Sequence, residues 1–88
     1  MRIRLTERYR RSLGRVPDRI RKAAARALVR LVEDARHTGL NLERLTGWDD
    51  TYSIRINRQY RILLLREVDE IGEFFAVVDI GTHEIYRR

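Results

Sequence analysis

The sequence predicts an α+β fold with an N-terminal strand, a two-helix hairpin and a three-stranded antiparallel sheet, in the order β-α-α-β-β-β. Three observations favour this class. One long segment repeats its apolar residues at helical spacing, and three later segments show the alternation and composition of strands. The length of 88 residues, of which 43% are apolar, suffices for one modest core, so we expect a single domain over residues 1–88.

The N-terminal elements are predicted from a change of periodicity. Residues 2–5 alternate Arg-Ile-Arg-Leu, which is typical of a half-buried strand. Thr6 is suited to cap a short helix that we place at about 7–13. Gly14 then interrupts this helix and Pro17 starts the next one, so the two helices should form a hairpin.

The second helix, predicted from residue 17 to about residue 36, is amphipathic. Its apolar residues recur mostly three or four positions apart: Ile20, Ala24, Ala27, Leu28, Leu31 and Ala35. The opposite face carries a stripe of four basic residues: Arg19, Lys22, Arg26 and Arg30. Such a stripe is most often a solvated face, and the alternative is a ridge that contacts the phosphates of a nucleic acid. Gly39 is expected to end the helix, with His37 as a capping residue.

The C-terminal half contains three strand patterns, at residues 52–57, 60–66 and 73–80. They follow a connecting segment and a turn at Gly47-Trp48-Asp49-Asp50. The tight polar loop Asn57-Arg58-Gln59 should join the first two strands as an antiparallel hairpin.

The predicted hairpin brings two arginines together. If its loop pairs Ile56 with Tyr60, Arg55 lies directly opposite Arg61 on one face of the sheet. Opposed like charges destabilise a sheet by a few tenths to about 1 kcal/mol. Either an anionic ligand or a carboxylate such as Asp79 would relieve the repulsion, and the spacing alone favours neither.

The net charge of +6 indicates an anionic partner. Lys22 is the only lysine among the 19 basic residues, and arginine binds phosphate through a planar fork of donors. A GC-rich genome would explain the preference for arginine equally well, but it does not explain the net charge.

The composition also argues against several classes of protein. There is no cysteine for disulfides or thiolate chemistry, and only His37 and His83 supply imidazole, so we do not expect a structural zinc site. The longest apolar run, Ile62-Leu63-Leu64-Leu65, is too short to span a bilayer, and the N-terminus lacks the apolar stretch of a secretory signal. We therefore expect a cytoplasmic protein without a membrane partner.

The C-terminal run, residues 80–88, concentrates chemically active groups. After Gly81 the chain supplies His83, Glu84 and Tyr86, followed by two arginines. Histidine has an ordinary pKa near 6.5 and can take or give a proton at neutral pH. A lone histidine after a glycine is more often a turn residue, so this run by itself does not establish a catalytic site.

Four motifs in order resemble the RelE branch of the RelE/ParE toxin superfamily: Leu42-Glu43-Arg44-Leu45 with Gly47, Tyr52-Ser53-Ile54-Arg55-Ile56, Tyr60-Arg61-Ile62-Leu63 and Ile80-Gly81-Thr82-His83-Glu84-Ile85-Tyr86. The resemblance covers nearly the whole chain and implies a RelE-like fold. It also implies the toxin of a type II toxin-antitoxin system, held inactive by a cognate antitoxin. Such a toxin is a ribosome-dependent endoribonuclease that inhibits translation by cleaving mRNA. It needs no metal or small-molecule cofactor, because the 2′-OH of the mRNA itself attacks the adjacent phosphate.

The resemblance implies a role for each matching position. Arg61 matches the arginine that stabilises the phosphate, and Arg55 matches a basic residue on the preceding strand. Tyr86 matches the C-terminal tyrosine that orients the nucleotide, and His83 is the candidate for proton transfer. We expect further contacts with RNA from other basic residues: Arg19, Lys22, Arg26, Arg30, Arg58 and Arg87.

Two alternatives stay open at this point. A ParE-like inhibitor of DNA gyrase would share the fold without performing RNA chemistry, and the His-Glu-Ile-Tyr terminus argues modestly against it. A non-catalytic module would only bind RNA or an antitoxin. Thr46 and Ser53 stand where some relatives carry basic residues, which favours this second alternative.

Overall fold

The computed structural model describes residues 1–87 and confirms the predicted α+β class. Its helices and strands are β1 (Arg2–Leu5), α1 (Glu7–Leu13), α2 (Asp18–Glu33), β2 (Leu42–Arg44), β3 (Thr51–Arg55), β4 (Arg61–Val68) and β5 (Glu73–Gly81). Two 3₁₀ segments, Thr38–Leu40 and His83–Arg87, complete the order. None of the helices in the described range is both long and apolar enough to cross a membrane.

The sheet is larger than the three strands predicted. It has five strands in the order β1-β5-β4-β3-β2, with β1 parallel to β5 and all other neighbours antiparallel. The predicted antiparallel sheet of β3, β4 and β5 is correct, but β1 and β2 extend it at both edges. The β2 strand has only three residues, too few for an alternating pattern to be visible in the sequence.

The second helix ends earlier than predicted, at Glu33 rather than near residue 36. The Asp34 carboxylate accepts a hydrogen bond from the Arg36 backbone N–H at 3.1 Å, and this local bond competes with continuation of the helix. Gly39 is therefore not its terminator. His37 does act as a cap, but for the Thr38–Leu40 turn, where its Nδ1 accepts from the Gly39 N–H at 3.0 Å.

The main core lies between the helical hairpin and one face of the sheet. The apolar stripe of α2 is confirmed, since Ile20, Ala24, Leu28 and Leu31 are all buried there. From the sheet, the core includes six apolar residues: Ile54, Ile62, Leu64, Phe75, Val77 and Ile80. Tyr9 of α1 is also buried in this core, and its burial raises the pKa of the phenol to about 12.

An ion pair connects the edge strand β1 to the turn between β4 and β5. The Arg2 guanidinium donates to both carboxylate oxygens of Asp69, at 3.0 and 2.8 Å, and its cation lies 5.4 Å from the centroid of the Phe74 ring. The Asp69 carboxylate also accepts from the N–H groups of Ile71 and Gly72. The hydrogen bond from Arg2 is the largest cause that holds the pKa of the Asp69 carboxyl well below its ordinary value.

Substitution Asp69→Asn tests this ion pair, because the asparagine oxygen can still accept from Ile71 and Gly72. A carboxyl group whose pKa is lower in the folded chain than in the unfolded chain stabilises the fold fully at pH values above its unfolded pKa, which is about 4. This stabilisation is lost progressively as the pH falls below that value. We therefore expect the variant to be less stable than the wild type at pH 7, with a difference that narrows progressively below about pH 4. Urea denaturation across this pH range measures it.

The matched control is Glu70→Gln, which removes the same charge from an exposed neighbour that forms no ion pair within residues 1–87. It should leave the pH dependence of stability unchanged. A stability loss in Asp69→Asn that stays constant with pH would contradict the ionic explanation.

Candidate functional site

The β3–β4 hairpin has the register that the sequence predicts. The Ile56 N–H donates to the Tyr60 carbonyl at 2.9 Å, and the Asn57 side-chain oxygen accepts from the Tyr60 N–H at 2.8 Å. Arg55 therefore lies directly opposite Arg61. The tight loop fixes two guanidinium groups as cross-strand neighbours on the face of the sheet opposite Ile54 and Ile62.

Arg61 has an environment that favours an anion. Gly81 of β5 is its other cross-strand neighbour and contributes no side chain. The Arg61 Nη1 atom is buried and lacks a hydrogen-bond partner. An unpaired buried donor of this kind costs about 1–3 kcal/mol.

No carboxylate in residues 1–87 forms an ion pair with Arg55 or Arg61. Asp79, the carboxylate considered for this role, forms its ion pair in the described range with Arg8 rather than with either hairpin arginine. The Asp79 carboxylate is fully buried and accepts from the Arg8 guanidinium of α1 at 2.8 Å. Within residues 1–87, no close ion pair offsets the repulsion between the two opposed arginines.

The C-terminal 3₁₀ helix begins two residues after Gly81, the neighbour of Arg61. Its Ile85 side chain is only 1% exposed, and the segment packs against β5. His83 is exposed, whereas Tyr86 is half-buried. The chain thus brings His83 to the end of the sheet where Arg55 and Arg61 lie.

Part of the basic stripe on α2 adjoins the hairpin. All four residues of the stripe are exposed, as predicted. Arg26 and Arg30 line a cavity of about 200 Å³ together with Asn41 and Arg55. Gly39 also lines this cavity, and a Cβ atom there would lie 3.1 Å from the His37 ring and 3.3 Å from the Nη1 atom of Arg30. This half of the stripe and Arg55 form one continuous basic surface.

The remaining residues expected to contact RNA lie outside this cavity. Arg19 and Lys22 are nearer the start of α2 and do not line it, and Arg58 is exposed in the hairpin loop. Arg87 closes the C-terminal 3₁₀ helix, but its side chain lies outside the described part of the structure.

Sequence reasoning missed one exposed aromatic residue near the C-terminal 3₁₀ helix, Trp48. It was assigned only to a turn, yet its side chain is 46% exposed and its ring contacts that of Tyr86, with centroids 6.2 Å apart. The signal available in the sequence was that the only tryptophan of the chain lies in a polar turn. The contact joins the β2–β3 loop to the C-terminal 3₁₀ helix.

Thr46 and Ser53, which stand where some relatives carry basic residues, have different surroundings. Thr46 is exposed in the β2–β3 loop, whereas Ser53 is buried in β3 with 4% exposure. A basic side chain at position 53 would therefore have to be accommodated in the packed sheet. Among the described residues, no three His, Cys, Asp or Glu side chains are grouped as potential metal ligands.

The comparisons with known proteins agree with this fold. A family model described as a ParE-like toxin domain matches residues 18–88. The chain is structurally similar to the YoeB/ParE toxin from Agrobacterium tumefaciens, with a TM-score of 0.74 and 18% identity over 94% of this chain and 99% of that one. No curated protein sequence matches.

Two further solved structures show the same likeness. A mutant of the RelE toxin from E. coli in the free state has a TM-score of 0.71 and 21% identity, covering 98% of this chain and 90% of that one. A chain of the RelBE2 toxin-antitoxin complex from Mycobacterium tuberculosis has a TM-score of 0.68 and 21% identity, covering 93% of this chain and 96% of that one. At these identities the structural likeness concerns the fold.

The unpaired state of Arg61 predicts an unusual mutational effect. Substitution Arg61→Met keeps an unbranched apolar stem but removes both the buried donor and the charge opposite Arg55. We expect the free energy of unfolding to rise by about 1 kcal/mol, because two unfavourable contributions disappear. Urea denaturation of the free protein measures the change.

The control is Arg66→Met on the same strand, because the Arg66 guanidinium pairs with both Asp50 and Glu73. This substitution should lower stability, because it removes two ion pairs. If Arg61→Met lowered stability as much as the control does, the inference that Arg61 lacks a partner would be wrong.

Proposed function

The chain belongs to the ParE-like toxin domain family, and we propose that it is the toxin of a type II toxin-antitoxin pair that cleaves mRNA on the ribosome. The observation that carries this proposal is the buried, unpartnered Nη1 atom of Arg61 opposite the unpaired Arg55. Two guanidinium groups fixed by a hairpin suit a phosphodiester, which carries negative charge and several acceptor oxygens.

The two arginines would act mainly on the transition state. When a 2′-oxygen attacks the adjacent phosphorus, negative charge accumulates on the non-bridging oxygens. Donors that are already in position stabilise that charge without reorganising during the reaction. Arg61 is suited to this role because its neighbours Arg55 and Gly81 fix its strand position before substrate binds.

The reaction also needs two proton transfers. A base takes the proton of the 2′-OH, the 2′-oxygen bonds to phosphorus, and the bond from phosphorus to the 5′-oxygen breaks. The departing oxygen takes a proton, which leaves a 2′,3′-cyclic phosphate and a free 5′-OH. We assign one of these transfers to His83, which is exposed and lies two residues after Gly81, the cross-strand neighbour of Arg61, and the orientation of the nucleotide to Tyr86.

The remaining basic residues would hold the RNA backbone. The cavity that Arg26 and Arg30 share with Arg55 provides a path from α2 to the hairpin. Arg19, Lys22, Arg58 and Arg87 would extend these contacts along the mRNA or ribosomal RNA. Such contacts supply affinity without reading the base sequence.

A second partner is an antitoxin. The net charge of +6 suits an acidic segment that folds on binding and neutralises the basic surface. The RelBE2 structure, a toxin-antitoxin complex, supports this partner by analogy of fold. Because mRNA and ribosomes are the proposed targets, the proposed site of action is the cytoplasm.

Primer extension on mRNA in a reconstituted translation reaction tests the activity. We expect ribosome-dependent cuts with the wild-type protein. We expect a rate lower by about 10²-fold or more in Arg61→Met and in His83→Ala, since each removes a group that acts in the transition state. The control is Arg11→Ala, which removes one exposed positive charge from α1 and should cleave like the wild type.

The family match also favours a specific alternative, because ParE-like toxins include inhibitors of DNA gyrase. Intact mRNA in every wild-type reaction, together with loss of supercoiling by purified gyrase, would establish that alternative. Intact mRNA and unaffected gyrase would instead indicate a module that only binds RNA or antitoxin. Undiminished cutting by both site variants would reject the assigned residues while leaving the activity in place.

The role proposed for Arg26 and Arg30 has its own test. Substituting both with glutamine should lower the slope of log affinity against log salt by roughly 1.4 for a single-stranded RNA, because each lost phosphate contact accounts for about 0.7. Fluorescence anisotropy of a labelled RNA at several salt concentrations gives the slope. The doubly substituted control Arg10→Gln/Arg11→Gln loses the same charge from α1, and an equal change there would contradict a local contact.

A further inference from the structure

We propose that Trp48 is a stacking platform for a nucleobase that flanks the cleaved phosphate, an inference that rests on the proposed RNA substrate. Trp48 is the only tryptophan of the chain and is 46% exposed, at the tip of the loop between β2 and β3. The core residues do not include it. A large aromatic surface in this position is available to a ligand.

The loop that carries Trp48 is held in one conformation by its own hydrogen bonds. The Leu45 N–H donates to the Thr51 carbonyl at 2.9 Å, and the Thr51 hydroxyl donates to the Asp49 carbonyl at 2.8 Å. The Arg66 N–H donates to the Asp50 carbonyl at 2.8 Å, and its guanidinium also pairs with the Asp50 carboxylate.

The backbone of this loop is also unusual. Gly47 has a φ of +82°, a value suited to glycine, and Asp50 has a φ of +48°. Several hydrogen bonds thus maintain a turn that most residues would not adopt. The indole is positioned before any ligand arrives, which reduces the entropy lost on binding.

The surroundings of the indole match a nucleotide better than an apolar side chain. Trp48 lines an open cavity of about 400 Å³ with Arg44, Thr46 and Asp49. Arg44 has no carboxylate partner in the described range and can meet a phosphate, while the Thr46 hydroxyl and the Asp49 carboxylate can bond base edges. An apolar side chain from a protein partner would leave these polar groups unused.

The contact with Tyr86 connects this platform to the C-terminal 3₁₀ helix that carries His83. The two rings meet edge to face, with an interplanar angle of 66°, so they are not stacked on each other. Tyr86 lies in the same 3₁₀ helix as His83. A base on Trp48 would therefore neighbour the nucleotide that Tyr86 orients, and stacking on an aromatic ring tolerates every base.

The single tryptophan makes a direct binding assay possible. The ligand is a trinucleotide with 2′-O-methyl groups, which cannot be cleaved, and the readout is the fluorescence of Trp48. We expect the intact trinucleotide to quench this fluorescence. An analogue that lacks the base at one end should quench less and bind roughly 10-fold more weakly, because the loss of one stacked base has about that effect.

Variants separate stacking from general binding. With a labelled trinucleotide, Trp48→Ala should bind about 10-fold more weakly than the wild type, and Trp48→Phe should recover part of the loss. Removing the base should have no further effect in Trp48→Ala. The control is Ile71→Ala, which trims another exposed apolar side chain, 81% exposed, far along the chain in the β4–β5 turn, and should bind normally.

Equal affinity of Trp48→Ala and the wild type, or equal quenching by the intact and base-free ligands, would overturn the proposal. The cleavage assay distinguishes this failure from that of the proposed function. If the wild type cleaves mRNA but Trp48→Ala binds the trinucleotide as tightly as the wild type does, the stacking platform is rejected and the ribonuclease activity stands. Quenching that depends on the base, in a protein that cuts no mRNA, would keep the platform and reject the ribonuclease.

Discussion

The register of the β3–β4 hairpin is the constraint on which the site depends. A shift by one residue would turn Ile54, Ile62 and Leu64 away from the helices and expose the centre of the core, so burial fixes the pairing. The same pairing sets Arg55 opposite Arg61. The repulsion between these arginines therefore follows from the most strongly determined part of the fold and cannot be relieved by sliding the strands.

The chain distributes its arginines unevenly between structural and free positions. Five arginines form ion pairs with carboxylates within the described residues: Arg2, Arg4, Arg8, Arg21 and Arg66. Within residues 1–87, no ion pair is formed by those around the hairpin and its adjoining cavity (Arg26, Arg30, Arg55 and Arg61), nor by others such as Arg10, Arg19 and Arg44. A cluster of unpaired cations raises the local potential, which attracts an anionic polymer and lowers the stability of the free protein.

The sequence predicted the features that depend on local periodicity. The buried stripe of α2 and the opposition of Arg55 and Arg61 follow from spacing and loop length, and both are confirmed. The parallel pairing of β1 with β5 could not be derived in this way, because Arg2 and its partner Phe74 are remote in the chain. The end of α2 was missed because a single Asp34 side-chain bond outweighs the pattern that continues beyond it.

The candidate site likewise contains features that local patterns predict and features that depend on contacts between remote segments. The length of the hairpin loop predicted that Arg55 lies opposite Arg61. The contact between Trp48 and Tyr86 joins the β2–β3 loop to the C-terminal 3₁₀ helix, and no local sequence pattern predicts that these two segments meet. A five-residue 3₁₀ helix has little stability of its own. Buried Ile85 anchors this helix, and the ring of Trp48 meets it at Tyr86. The placement of His83 therefore depends on contacts made by Ile85 and Tyr86, which is why its motif alone could not locate it.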